Sequence, residues 1–236
     1  MALPFFYLSQ YEPGMKTTEL TLDEDNSRHI VQVLRMQPGE ALQLTDGNGT
    51  LLTASVRDNH KKKCVVTVLS ARTLPPREKK VAIAISPVKN ASRFEWFLEK
   101  ATEIGVSEII PLLSEHTERQ HIRQDRLQAI LVSAMLQSQQ GWLPVLHPPT
   151  AFTRLIEETR FDRRLIAHCL EAPRPTDTLV ASPAPTQLIL IGPEGDFSSK
   201  EVEAAIAKEF VPVTLGSNRL RTETAGIVAA TLLCIG

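Results

Sequence analysis

The chain has 236 residues, 42% of them hydrophobic and 22% charged, with a formal net charge of −1. That size and balance suit an ordinary globular protein with one large domain or two small ones. They exclude a chain that binds polyanions through overall charge, so any basic surface must be local.

The three cysteines, Cys64, Cys169 and Cys234, stand far apart with no C-x-x-C pair. This argues against a zinc knuckle and a disulfide framework, and all three are expected as buried small hydrophobes. Met1 to Tyr7 lacks the basic start of a secretion signal, and no apolar run reaches membrane-spanning length. The expected location is the cytoplasm.

Up to about Ser70 the pattern is β-rich with one short helix. Asn26 to Leu34 carries Ile30, Val33 and Leu34 at helical spacing and is stopped by Pro38-Gly39. Ala41 to Thr45 and Leu51 to Val56 flank Asp46-Gly47-Asn48-Gly49, a hairpin signal because Gly and Asn tolerate positive φ. Lys61-Lys62-Lys63 precedes a last strand, Cys64 to Leu69. Several short strands in little space suggest a compact barrel. Between Arg28 and Lys80 basic residues outnumber acids, which fits either a phosphate-binding surface or a solvated face. Thr73 to Lys80, with two prolines and a charge cluster, reads as a linker, dividing the chain into 1–72, 73–80 and 81–236.

Beyond the linker, strands alternate with helices, as in a mostly parallel sheet covered on both faces. Val81 to Ile85 is an apolar strand. Ser92 is expected to cap a helix with Phe94, Phe97, Leu98, Ala101 and Ile104 on one stripe, ended by Gly105. Ile109 to Leu113 is a strand whose Pro111 suits an edge or a bulge. Arg123 to Gln137 and Phe152 to Glu158 read as helices, and Leu165 to Cys169 as a strand.

Leu188 to Ile191 reads as a buried strand, followed by Gly192-Pro193-Glu194-Gly195 and by Ser198 with Glu201, a capping box that opens a helix. Val211 to Leu215 is another strand, then a Gly216-Ser217-Asn218 turn, Arg219-Leu-Arg-Thr-Glu-Thr-Ala225 and an apolar helix to Ile235. Ligands of open α/β sheets settle at strand carboxyl ends, so these two glycine turns should build one site. The first strand of this region lacks G-x-G-x-x-G, and no P-loop exists. The six histidines show no metal spacing, so no metal is expected, and no serine has a hydrolase context. His168 ends a strand near the site, where a satisfied histidine and a ligand contact are both open readings. Arg221 and Glu223 can form an ion pair at a helix start, or an arginine there can hold an anion.

The stretches Leu190 to Val202 and Leu215 to Ala225 resemble the two signature motifs of the RsmE family, 16S rRNA uracil-N3 methyltransferases of the SPOUT superfamily. Arg35-Met-Gln-Pro-Gly39 is similar to that family's R-M-x-P-G, and Glu99 to Val106 to its K-A-T-E-L-G-V helix. The resemblance implies an α/β protein with an N-terminal PUA-like RNA-binding β-barrel and a C-terminal SPOUT methyltransferase domain with a deep trefoil knot. It implies S-adenosylmethionine as methyl donor, 16S rRNA or the small ribosomal subunit as partner, and a homodimer.

By position it places Leu190, Ile191, Gly192, Pro193, Glu194, Gly195, Leu215, Gly216, Leu220, Arg221 and Thr222 in the cofactor pocket, with His168, Cys169 and Leu170 as a third wall. Asn218, Arg219 and Gln140 depart from the residues common there. Arg221, then Arg219, are the candidates to stabilise charge on the uracil, with Glu223 as base or as an orienting carboxylate. Arg28, Arg35, Lys61, Lys62 and Lys63 are the candidate phosphate contacts. The alternatives are a SPOUT enzyme with another RNA target and a non-catalytic RNA-binding protein on the same scaffold.

Overall fold

The computed structural model describes residues 3–9, 11, 18–118, 121–168 and 184–235. The chain divides into two compact units, one of residues 1–76 with 135–143, the other of residues 77–134 with 144–236.

The first unit holds β1 (Phe5–Tyr7), β2 (Glu19–Thr21), α1 (Glu24–Arg28), β3 (Ala41–Thr45), β4 (Thr50–Asp58) and β5 (Val65–Thr73). Its five-stranded sheet runs in the order β1-β3-β4-β5-β2. Alternation along β3 and β4 puts Leu42, Leu44, Leu52, Ala54 and Val56 into one core with Phe6, Ile30 and Cys64. The predicted helix starts earlier than expected, because Asp23 caps it by accepting the Asn26 N–H at 2.8 Å. Its second half widens into a π turn over His29–Val33, and the chain leaves through Arg35, whose φ of 54° lies in the left-handed region.

The predicted hairpin forms: β3 pairs antiparallel with β4, and Asp46 Oδ1 accepts from the Asn48 and Thr50 N–H groups at 2.8 and 2.9 Å. The turn is then covered by residues far along the chain. Gly49 N–H donates to the Gly141 carbonyl, Leu143 N–H to the Gly47 carbonyl, and a Cβ on Gly49 would lie 2.3 Å from the Trp142 ring.

The second unit contains β6 (Lys80–Ile85), α2 (Ala91–Ile104), β7 (Glu108–Leu113), α3 (Gln124–Gln137, whose last turn belongs to the first unit), β8 (Val145–Leu146), β9 (Thr150–Ala151) and α4 (Phe152–Glu158). After these come β10 (Arg163–Ala167), β11 (Thr186–Ile191), α5 (Ser199–Ala207), β12 (Val211–Val213) and α6 (Thr222–Ile235). The sheet is parallel, in the order β12-β10-β11-β6-β7-β8, with β9 also on β7. On one face Ala82, Ala84, Ile166, Leu188 and Leu190 pack with Phe152, Phe197, Val202 and Phe210. On the other, α6 packs on α2, β6 and β11. Gly226 makes that approach possible, since a Cβ there would lie 2.6 Å from Phe97 and 2.8 Å from Ile85.

Asn90, rather than Ser92, caps α2: its side chain accepts the Ser92 N–H at 3.0 Å. Gly105, at φ 106°, ends it. Pro111 sits where the outer partner of β7 changes, between β8 opposite Glu108 and Ile109 and β9 opposite Leu112 and Leu113. A residue without an N–H fits that gap. Cys64 is buried as expected, Cys234 only half-buried. Cys169 and Leu170 lie outside the described residues.

Candidate functional site

The strand register builds the site. Ala167 pairs with both Ile191 and Val213, and Ile191 with Ile85, so β6, β10, β11 and β12 end at one level. Four segments therefore leave the sheet side by side: 86–90, His168, 192–198 and 214–221. This is the crevice in which parallel α/β sheets hold ligands.

In the turn after β11, Asp196 N–H closes onto the Pro193 carbonyl at 2.9 Å. The left-handed residue is Asp196, with φ 63°, and neither Gly192 nor Gly195 has positive φ. Gly192 is tightly placed: a Cβ there would lie 3.2 Å from the Phe197 ring. Gly195 faces His116, with its would-be Cβ at 3.4 Å, and is exposed. Leu190 and Ile191 are 0% and 2% exposed, so their side chains serve the sheet and only backbone is left for a ligand. After β12, Gly216 has φ 129° and nothing within 4 Å of a would-be Cβ. Two glycine-bearing turns thus flank the end of β10, and in them only Gly216 leaves the space at its Cβ position open.

Side chains stitch these segments together. Glu194 Oε1 accepts the Lys89 N–H at 3.3 Å, and its carbonyl accepts from Arg219 Nη2 at 3.3 Å. Arg219 therefore bridges the two glycine turns. Arg221 is exposed, whereas Thr222 and Glu223 are 5% and 7% exposed at the start of α6. The Arg221–Glu223 ion pair does not form: Glu223 faces Arg93 of α2 instead, at 3.7 Å. Burial lowers the His168 pKa, opposed by the nearby Asp196 carboxylate, which favours a neutral ring. Leu215 and Leu220 are half-buried beside Gly216. Among the described residues no group of three or more His, Cys, Asp or Glu is placed to hold a metal ion.

The candidate phosphate contacts belong to the first unit. Arg28 pairs with Glu24 at 2.9 Å and Asp25 at 3.7 Å, and Lys62 reaches the same Glu24 at 3.8 Å. Glu24 thereby joins α1 to the exposed Lys61–Lys63 turn. Arg35 is exposed beside Val33 and Leu34, which are 67% and 42% exposed.

Sequence reasoning missed Lys89, Arg93 and His116. Lys89 stands in the segment after β6, set aside for want of glycine, and Arg93 in the first turn of α2. The signal for Lys89 was a basic residue just past the carboxyl end of a strand. His116 had none, since its contact with Asp196 joins distant segments.

Family models match twice: an RNA methyltransferase PUA domain over residues 22–69 and an RNA methyltransferase domain over residues 75–234. The ribosomal RNA small subunit methyltransferase E of Synechocystis sp. is 32% identical over 217 residues, covering 89% of this chain and 71% of that protein. A crystal structure named probable rRNA-methyltransferase, from Porphyromonas gingivalis, is 41% identical with a TM-score of 0.88 and covers 99% of both chains. The ribosomal RNA small subunit methyltransferase E of Neisseria gonorrhoeae, bound to S-adenosyl methionine, is 27% identical with a TM-score of 0.85, covering 97% of this chain and 95% of that one.

Proposed function

Because the chain belongs to the ribosomal RNA small subunit methyltransferase E family, we propose that it methylates N3 of a specific uridine in 16S rRNA, with S-adenosylmethionine as donor. The observation that carries this is the pair of glycine-bearing turns at one level of the sheet, 192–196 and 214–218, bridged by Arg219. Where Gly216 leaves its Cβ side open, a flat, polar adenosine can approach the backbone closely. Gly192, Pro193, Glu194, Gly195, Leu215, Gly216, Leu220 and Thr222 form its walls, with Leu190 and Ile191 contributing backbone and His168 a third side. The bound donor supplies an activated sulfonium methyl, so no metal is needed.

The chain's own task is alignment and charge control. N3 of uracil is a poor nucleophile until its proton leaves, and the resulting charge spreads onto O2 and O4. We assign the stabilisation of that charge to Arg221, exposed beside the second turn, with Arg219 as the second candidate. Glu223 is almost buried against Arg93, which suits an orienting carboxylate better than a base in contact with substrate. The base must leave its stack to enter the site. Arg28, Arg35 and Lys61 to Lys63 then grip phosphates, which position RNA without reading it.

The working division is 1–72 as a PUA-like barrel, 73–80 as linker and 81–236 as SPOUT domain. β12 is an edge strand, yet the following α6 packs on β6 and α2, so the chain must return to the middle of the sheet. We take that return as the thread of a trefoil knot. The apolar α6, with Ile235 71% exposed, supports a homodimer through this domain. Among the described residues no helix is long and apolar enough to cross a membrane, and an rRNA substrate puts the enzyme in the cytoplasm.

Calorimetry with EDTA present tests the donor. One site per chain at micromolar affinity, roughly −8 kcal/mol, is expected. RNA binding without any heat from S-adenosylmethionine would instead favour a non-catalytic RNA-binding protein.

A further inference from the structure

We propose that Glu201 is a positioning residue for S-adenosylmethionine: its carboxylate ties the turn after β11 to a rigid loop after β7. This rests on the methyl-donor reading above and adds a residue which that reading does not use.

A glutamate at the third position of a capping box needs one oxygen for its task. Glu201 Oε2 performs it, accepting from Ser198 N and Oγ at 3.0 and 3.3 Å. Its second oxygen, Oε1, accepts the backbone N–H of Glu115 at 2.9 Å, 86 residues away in sequence. Helix capping does not require that bond.

The loop it reaches is built as an anchor. Ser114 N–H donates to Thr117 Oγ1 at 2.9 Å, and Thr117 N–H returns to the Ser114 carbonyl at 3.1 Å. Thr117, 5% exposed, also meets Ser86 Oγ at 3.3 Å and Ser114 Oγ at 2.9 Å. Ser86 is wholly buried, and its N–H donates to the carbonyl of Ile191, the residue before Gly192. A second strut leaves the same loop: His116 Nδ1 donates to the Asp196 carbonyl at 3.0 Å. It holds the residue whose φ of 63° stores strain in the turn.

The turn is therefore fixed at its base by Ser86, at its far end by His116, and just beyond by Glu201. Strands β11 and β7 are not neighbours; β6 lies between them, so these bonds span a strand. A ligand lying on backbone that is already fixed has little ordering to supply. Loosening the anchor should weaken donor binding and leave the chemical step alone.

Glu201→Gln separates the two roles. Glutamine still serves in a capping box through its carbonyl oxygen, but its NH₂ cannot accept from Glu115 N–H. We expect the melting temperature to stay within about 2 °C while Kd and KM for S-adenosylmethionine rise about tenfold, the effect of losing one charge-assisted bond. The kcat at saturation and the KM for RNA should hold. Ser198→Ala, which removes the cap hydroxyl and keeps the bond to Glu115, should lower the melting temperature and keep donor affinity within about twofold of the unsubstituted chain. Donor affinity of Glu201→Gln within that same margin overturns the proposal, as does an equal loss in Ser198→Ala. An unsubstituted chain that binds no S-adenosylmethionine defeats the methyl-donor reading itself, and this shows before any substitution is made.

Discussion

The two units solve opposite problems with opposite materials. The first carries its candidate function on exposed charge: Arg28, Lys62 and Glu24 share one cluster, Arg57 pairs with Glu19, and Lys61 and Lys63 stand in solvent. The second carries it on backbone held by buried polar groups: Ser86, Thr117, Thr222 and Glu223 are each at most 7% exposed. Exposed charge gives affinity that salt can screen, and its substitution costs the fold little, since surface ion pairs contribute little to stability. Buried polar framing gives geometry, and its loss cannot be absorbed by water. On the proposed function, RNA gripping falls to the first unit and chemistry to the second.

The largest effect that would break this contrast lies in the second core. Gly226→Val should destabilise that unit by about 3 kcal/mol or more, because Phe97 and Ile85 leave no room for a Cβ. Urea unfolding checks it, and a variant of unchanged midpoint would mean that α6 does not approach β6 so closely.

Arg221→Ala is the next. It should lower the single-turnover methylation rate about a hundredfold, the usual loss for one preorganised electrostatic contact, with RNA affinity nearly kept. A normal rate at saturating RNA would make the arginine structural and move the active centre elsewhere.

Replacing Lys61, Lys62 and Lys63 with alanine should do the reverse. Filter binding should show weaker affinity and a salt slope shallower by roughly one per lost phosphate contact, with an intact rate at saturation. Since Lys62 already faces Glu24, its share should be smallest.

The smallest effect concerns His168. Burial holds its pKa below the usual 6.5, so the folded chain resists protonating it. A depressed value means that the stability it confers is present above pH 6.5 and is lost as pH falls below that through the folded pKa. Thermal melting between pH 7.5 and 5.5 should therefore fall more steeply in the unsubstituted chain than in His168→Gln. Equal slopes would mean that no half-buried, neutral imidazole contributes there.

What the sequence made legible was local. The β11 run, the Ser198 capping box and the Asp46–Gly49 hairpin each combine a pattern with a turn chemistry found within a few residues, and each formed. What stayed hidden needed distant partners. The cap of α2 passed from Ser92 to Asn90 by a choice between two adequate acceptors. Glu223 turned to Arg93 because α6 packs on α2, a contact no nearby residue announces. Residues 141–143 closed over the first unit's hairpin for the same reason. In the site, the glycines were visible but their use was not: Asp196 takes the left-handed conformation, and Gly192 makes way for Phe197.

The proposed reaction is methyl transfer to N3 of a uridine in small-subunit rRNA. Nucleoside mass spectrometry of 16S rRNA from cells lacking this chain tests it most directly. We expect 3-methyluridine to disappear from that RNA and to return when the unsubstituted chain is restored, but not with Arg221→Ala. An undiminished level of 3-methyluridine in 16S rRNA from the deleted cells would contradict it.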